Sequence, residues 1–272
     1  MTVKRWAVPL GAALAVLAAG CDPDPSGGPE GTPAAELRAN NDDPRIDEAD
    51  ALLRRREFEA ARALVVGVLE EFPGSGRAEL VLGMGFYDQK KHALAAPHFE
   101  RALELEPFSG REDAWFFLGW CRYYLGELEG ARAAADEFAA ARPDSSNGLF
   151  LQGVVAIEEG REAEAEAKLK RAAELLFEQF QSGDRAQQVS LLGPLANCYV
   201  KLADLAIGLE DWTTARDHLE RSVAVNPGMY QAWYKLSLVW NRIGNEDMAA
   251  QALAQYEAFR PKGDPNAPEG GR

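Results

Sequence analysis

Apolar and polar positions follow one another along this chain with the period of an amphipathic helix. The clearest stretch, residues 113–143, contains two such runs, which a turn at Gly126 to Gly130 separates and Pro143 ends. A single pair of helices cannot bury its own apolar face, so this stretch predicts a hairpin that packs against further copies of itself. The residues that mark the two runs are Trp115, Leu118 and Gly119 in the first and Ala131 and Phe138 in the second.

The same pattern returns on either side and is closed each time by a proline that follows a run of helix formers. The intervals between these prolines are 34, 36, 84 and 34 residues, and 84 is two units of 34 with 16 residues to spare. Proline ends a helix because it has no amide hydrogen and its ring clashes with the preceding turn. The five prolines are Pro73, Pro107, Pro143, Pro227 and Pro261.

Small residues recur in phase with the prolines. A Leu-Gly step lies in two of the first helices, at Leu82-Gly83 and Leu118-Gly119, and an alanine lies early in each second helix. Small side chains there let the two helices approach closely, while larger apolar side chains face the neighbouring unit. The alanines are Ala61, Ala95, Ala131, Ala165, Ala215 and Ala249, and the apolar residues four positions later are Phe99, Leu169, Leu219 and Leu253.

Together these markers resemble the tetratricopeptide repeat family across roughly residues 42–262. The resemblance implies an all-α fold, a right-handed superhelical solenoid of about six helix-turn-helix units. We place the units at about 42–75, 76–109, 112–145, 146–179, 196–229 and 230–262, with an irregular insert at 180–195.

The insert breaks the regular period. Ser182-Gly183-Asp184 predicts that one helix stops and another starts, and Pro194 either kinks the following helix or marks the end of a short one. Long irregular pieces in a regular array are often functional. The alternative is a lengthened hairpin that only adjusts the pitch of the solenoid.

The N-terminus has the pattern of a targeting segment. Residues 1–20 form a signal peptide in which Lys4 and Arg5 precede an apolar run that is too short to span a membrane. The run ends at Leu17-Ala18-Ala19-Gly20-Cys21, which resembles a bacterial lipobox, although Leu17 stands four residues before Cys21 where three is commoner. The resemblance implies that Cys21 is acylated and anchors the chain to a membrane. The alternative is an ordinary cleaved signal with an incidental cysteine.

Residues 21–41 are rich in proline, glycine and acidic residues, which predicts a disordered tether after the anchor. Residues 263–272 predict a disordered tail. We therefore expect a lipid-anchored protein of the bacterial cell envelope, with its domain in the periplasm or outside. Asp22 resembles an inner-membrane retention signal, but the choice between inner and outer membrane stays open.

Composition excludes one class of partner. The 272 residues are 47% hydrophobic, which is ample for a core, and the formal net charge of −14 argues against nucleic acid. The acidic residues are dispersed along the helices, as in residues 162–174, and predict a solvated surface.

No motif for catalysis, for a metal or for a cofactor is present, so we expect a protein that is not an enzyme. His92, His98 and His218 do not have metal-ligand spacing and are expected at the surface or at its boundary. Cys121 and Cys198 lie two units apart, too far for a disulfide, and are expected to be buried free thiols.

The family resemblance implies that the first helix of each unit lines a concave groove that binds peptides or partner helices. We predict a partner-binding cluster at Tyr87, Phe116, Trp120, Tyr123, Phe150 and Tyr234. The alternative is that these rings pack in the core. Other groove positions are Leu80, Met84, Asp88, Asp113, Tyr124, Asn147, Val154, Ile157, Gln231, Leu238, Asn241 and Arg242.

The Lys/Asn clamp by which some family members hold a terminal carboxylate is not visible at these positions, and Asp88 and Asp113 would oppose such a ligand. The leading expectation is a non-enzymatic scaffold that binds another envelope protein or peptide in the groove. One alternative is an envelope protein that binds carbohydrate or a small molecule there. Another is an obligate subunit of an envelope assembly or a homodimer that packs through 180–195. The oligomeric state stays open.

Overall fold

The computed structural model describes residues 39–261, and within that range the chain forms twelve α-helices and no strand. This confirms the predicted all-α repeat array. The helices are α1 Pro44–Arg54, α2 Phe58–Glu71, α3 Gly76–Asp88, α4 His92–Glu104, α5 Arg111–Tyr124, α6 Leu128–Ala141, α7 Ser146–Glu158, α8 Glu162–Ser182, α9 Arg185–Gly208, α10 Trp212–Val225, α11 Tyr230–Ile243 and α12 Glu246–Phe259.

The helices pair as six antiparallel hairpins, and each hairpin packs against the next. The odd-numbered helices from α1 to α9 also each contact the next odd-numbered helix, whereas no two even-numbered helices of residues 39–261 pack closely. The odd-numbered layer is therefore the more tightly spaced one, and the array bends with that layer on its inner side. The first helices of units one to five thus line the concave face.

A left-handed residue shapes the turn inside every hairpin. In all six units it stands two positions before the second helix begins, with φ between 58° and 86°. Three of the six are glycine, which adopts this conformation without steric cost. The residues are Arg56, Lys90, Gly126, Gly160, Glu210 and Gly244.

The core forms where a second helix places a large side chain against a small residue of the first. Phe99 is fully buried, and a Cβ atom added to Gly83 would come within 2.6 Å of its ring. Leu169 and Leu219, at the same position of later units, are also fully buried. In the last unit the equivalent Leu253 is 44% exposed, because no further helix of the described range covers it.

The segment 180–195, expected as an irregular insert, forms helix apart from the turn at Gly183 and Asp184. It supplies the end of α8, which has 21 residues, and the beginning of α9, which has 24. A capping box explains the restart, because Asp184 accepts a hydrogen bond from the Gln187 amide at 2.9 Å and donates its own amide to Gln187 Oε1 at 3.0 Å. Pro194 lies inside α9.

Cys121 in α5 and Cys198 in α9 are free and fully buried, as predicted. Burial raises the pKa of each thiol to about 12. Both therefore carry their proton at neutral pH and serve as small apolar side chains of the core.

The predicted signal peptide, Cys21, most of the tether and the C-terminal tail lie outside the described residues. Among residues 39–261, no helix is both long enough and apolar enough to cross a membrane.

The contact between Gly83 and Phe99 predicts opposite effects for two glycine substitutions. Gly83→Ala forces its new methyl group against the Phe99 ring, and we expect a loss of about 1–3 kcal/mol in the free energy of unfolding. Gly67→Ala in α2 meets only the end of the Arg45 side chain, at 4.0 Å, and is expected to gain about 0.5–1 kcal/mol. Urea titration of both variants measures these changes, and equal shifts would contradict the close-approach explanation.

Burial of the two thiols predicts that neither reacts in the folded protein. Because the thiolate is the nucleophile, a pKa of about 12 leaves roughly one thiol in ten thousand reactive at pH ~8. In a chain that carries Cys21→Ser, we expect no fast reaction with a disulfide reagent until guanidinium chloride unfolds the protein. Rapid labelling of the folded chain would contradict the burial of Cys121 and Cys198.

Candidate functional site

Five of the six residues of the predicted partner-binding cluster come together on the concave face. Helix α3 supplies Tyr87, α5 supplies Phe116, Trp120 and Tyr123, and α7 supplies Phe150. Two further rings join them, and we call the whole group the aromatic strip. Its members are Tyr87, His92, Phe116, Trp120, Tyr123, Tyr124 and Phe150.

Trp120 is the centre of the strip. Its ring centroid lies 5.6 Å from that of Tyr123, 5.8 Å from that of Tyr124 and 6.1 Å from that of Phe150. Aromatic pairs at such separations add about 0.5–1.5 kcal/mol beyond the area that they bury. The rings therefore hold one another in place before any ligand arrives.

His92 connects Tyr87 to the rest of the strip, a role that the sequence did not reveal. Its ring stacks on Tyr124 at 4.4 Å and meets Tyr87 edge-on at 5.4 Å. Burial lowers the pKa of His92, and the nearby charge of Lys90 lowers it further. The available signal was its position as the first residue of α4, directly after the turn that follows Tyr87.

The sixth predicted residue lies elsewhere. Tyr234 belongs to the last unit, where its ring contacts Tyr256 at 5.3 Å, and it makes no ring contact with the strip. Two other groove positions were misplaced by the sequence: Leu80 and Val154 are buried in the core, because their helices turn these side chains toward neighbouring helices.

The strip is partly buried and partly exposed to solvent. Phe116 packs downward on Phe138, with ring centroids 5.2 Å apart, and belongs to the packing between α5 and α6. Trp120 and Phe150 are half-buried, and Tyr124 is 54% exposed. Phe116, Trp120 and Tyr123 are all half-buried and pack on the same buried residues of α6 and α7. The core alternative therefore holds in part for each of these three rings, and Tyr124 is the most exposed ring of the strip.

Carboxylates border the strip. The hydroxyl of Tyr123 donates a hydrogen bond to Glu158 Oε1 at 3.1 Å. Burial, followed by the charges of Glu158, Tyr124 and Asp204, raises the pKa of Tyr123 to about 12. Burial also raises the pKa of Tyr87. Both phenols are therefore neutral at physiological pH and remain hydrogen-bond donors.

Asp88 and Asp113 lie along the same face, and burial raises the pKa of each carboxyl group. Arg142 forms an ion pair with Asp113 at 3.0 Å, which opposes the effect of burial. Asp88 has no ion pair within residues 39–261, and the charge of nearby Arg56 lowers its pKa only in part.

The described residues contain no cluster of His, Cys, Asp or Glu that could hold a metal ion. His98 shares a hydrogen bond with Glu79 at 2.8 Å, at the boundary of the core as expected. His218 corrects the sequence expectation, because it is buried and only 9% exposed. It stacks on Tyr199 at 6.4 Å, and burial lowers its pKa.

A cavity of about 700 Å³ lies away from the strip, between α10, α11 and α12. Its lining includes the apolar side chains of Trp233, Leu236 and Trp240 and the polar side chains of Glu220 and Gln251. The guanidinium of Arg216 lies 5.4 Å from the centre of the Trp240 ring. A volume of this order suits a small organic ligand. If the protein binds a small molecule, this cavity is therefore a better candidate site than the strip.

Comparison with protein families gives one match along most of the chain. The model of the tetratricopeptide repeat matches residues 46–112, 118–176 and 200–268. A comparison by sequence with functionally curated proteins gives no match.

Solved structures share the fold at low identity. PilW, described as a widely conserved type IV pilus biogenesis factor, is 20% identical with a TM-score of 0.64 and covers 79% of this chain and 91% of its own. PilF of Pseudomonas aeruginosa is 18% identical with a TM-score of 0.62, over 80% of this chain and 91% of its own. A chain of the APC/C hetero-tetramer Cut9-Hcn1 is 18% identical with a TM-score of 0.66. The match covers 80% of the present chain but only 40% of the APC/C chain.

Proposed function

The chain belongs to the tetratricopeptide repeat family, and from that premise we propose that it binds an extended segment of a partner protein along the aromatic strip. Members of this family are generally non-enzymatic scaffolds for protein interaction. The strip lies on the concave face, where the odd-numbered helices place the side chains of three successive units side by side.

The solvent-exposed surface of the strip carries the proposal. Large aromatic side chains dominate the binding energy of protein interfaces, because they bury much area at little cost in conformational entropy. Tyr124, Trp120 and Tyr123 offer such surfaces next to one another, and Trp120 and Tyr123 also pack on buried residues of α6 and α7. A ligand would therefore meet rings that are already ordered, which favours binding.

We also propose that the protein is a lipoprotein of the bacterial cell envelope, anchored through Cys21. The support is the sequence of residues 1–21, which joins a short positive start and an apolar run to a cysteine. PilW is described as a pilus biogenesis factor, but at 20% identity its likeness concerns the fold.

The strip proposal predicts that a partner is lost when the exposed rings are removed. A full-length chain with Cys21→Ser, Trp120→Ala and Tyr124→Ala should fail to capture a protein that the Cys21→Ser chain captures from envelope extract. Phe177→Ala, which removes a 45% exposed ring from even-numbered α8, is the matched control and should capture normally. Circular dichroism verifies that each variant is folded. Equal capture by all three chains would place the binding site outside the strip.

The anchor proposal predicts a change of fractionation. Wild-type protein should incorporate labelled palmitate and sediment with membranes, whereas Cys21→Ser should do neither, because the acyl acceptor is gone. Cys198→Ala is the control, since its thiol is buried in the core, and it should stay with the membranes. If the Cys21→Ser protein still sediments with membranes, the anchor proposal is wrong.

A further inference from the structure

One end of the aromatic strip is dominated by negative charge. Glu158 accepts the hydrogen bond of Tyr123 and has no ion pair with any of residues 39–261. Asp204 acts electrostatically on the same phenol from α9. Its charge is engaged by Lys235 and, at 4.0 Å, by Lys201. Glu158 is therefore the carboxylate of this end whose charge is not neutralised.

At the opposite end of the strip, near Tyr87 and His92, negative and positive charges offset each other. Asp88 lies near the hydroxyl of Tyr87, but the positive charge of Arg56 acts on it. Lys90 adds a second positive charge beside His92. A charged ligand would therefore be selected mainly at the end that contains Glu158.

The ring faces at that end suit a cation. Trp120, Tyr123 and Tyr124 lie within 5.8 Å of one another by their centroids, and all three are at least partly exposed. The face of an aromatic ring carries partial negative charge and attracts an ammonium or guanidinium group, most strongly when the ring is that of tryptophan. The Tyr124 ring is already stacked on His92 and on Trp120, so the ring surface that remains for a cation near Glu158 is that of Trp120 and Tyr123. A carboxylate and these two rings therefore favour the same kind of ligand.

We infer that the partner segment presents an arginine or lysine to Glu158 and to the Trp120 and Tyr123 rings, with apolar side chains along the rest of the strip, including Tyr124. This inference rests on the proposed function, since it assumes that the strip is the binding surface. It selects a basic, amphipathic segment and rejects an acidic one, because an acidic side chain would meet Glu158 without a counter-charge.

Three synthetic peptides test the inference against the full-length chain with Cys21→Ser. Each has the frame Leu-Ser-Leu-X-Leu-Ser-Leu, in which X is Arg, Gln or Glu, and its affinity is measured by fluorescence anisotropy at low salt. We expect the Arg peptide to bind about fivefold more tightly than the Gln peptide, as one ion pair with cation–π contact would give. The Glu peptide should bind more weakly than either, and added salt should reduce the preference for Arg.

Charge-neutralising variants locate the effect. Glu158→Gln keeps an acceptor for Tyr123 and should weaken the Arg peptide about threefold while leaving the Gln peptide unchanged. Asp88→Asn should change the Arg peptide by less than twofold, because Arg56 and Lys90 offset that charge. Glu137→Gln, at an exposed carboxylate of even-numbered α6, is the matched control and should have no effect.

The outcomes separate the inference from the proposed function. If the three peptides bind equally and Tyr124→Ala abolishes all of them, the inference is overturned and the strip remains a binding site. Preference for the Glu peptide, or failure of every peptide to bind, also overturns the inference, and the capture experiment then reports on the strip independently. If Tyr124→Ala leaves binding of all three peptides unchanged, both proposals fail for these ligands.

Discussion

A hairpin of two short helices leaves an apolar face that only a neighbouring hairpin can cover, and the rest of this structure depends on that requirement. Phe99, Leu169 and Leu219 are each buried at the place where one unit meets the next. Because stability in such arrays comes from contacts between neighbours, each unit must present the same face in the same direction. The concave alignment of the odd-numbered helices, and with it the aromatic strip, follows from this repetition.

Most of the fold could be predicted because its determinants are local and periodic. The spacing of Pro73, Pro107 and Pro143 marks the ends of units, and the burial of Cys121 and Cys198 follows from their helix positions. The helix stop and restart at Ser182-Gly183-Asp184 also followed from the local sequence. The burial of His218 did not, because it depends on side chains of α8 and α9, among them Tyr199, which stacks on the His218 ring.

The candidate site shows the same division. Repeat phase placed Tyr87, Trp120 and Phe150 on one face, because their positions relative to the packing glycine of each unit (four after, one after and three before) differ by three or four residues, about one helical turn. It did not find His92, which reaches the strip from a second helix. It also assigned Tyr234 to the groove, although that ring pairs with Tyr256 in the last unit. The repeat phase predicts which face of a helix a residue occupies. Which rings that residue contacts depends on the size and position of the side chains around it.

The lengthened hairpin of α8 and α9 has a consequence for how such a chain can change over evolutionary time. Among second helices, α8 has 21 residues against 14 in α10, and among first helices, α9 has 24 against 13 in α7. The excesses correspond to about two and three complete helical turns at 3.6 residues per turn. The helix rotation is restored after each addition, so the residues beyond it still face their usual neighbours. The loop at Gly183 is therefore a point where a descendant could gain or lose length without repacking its core, provided that the change comes in whole turns.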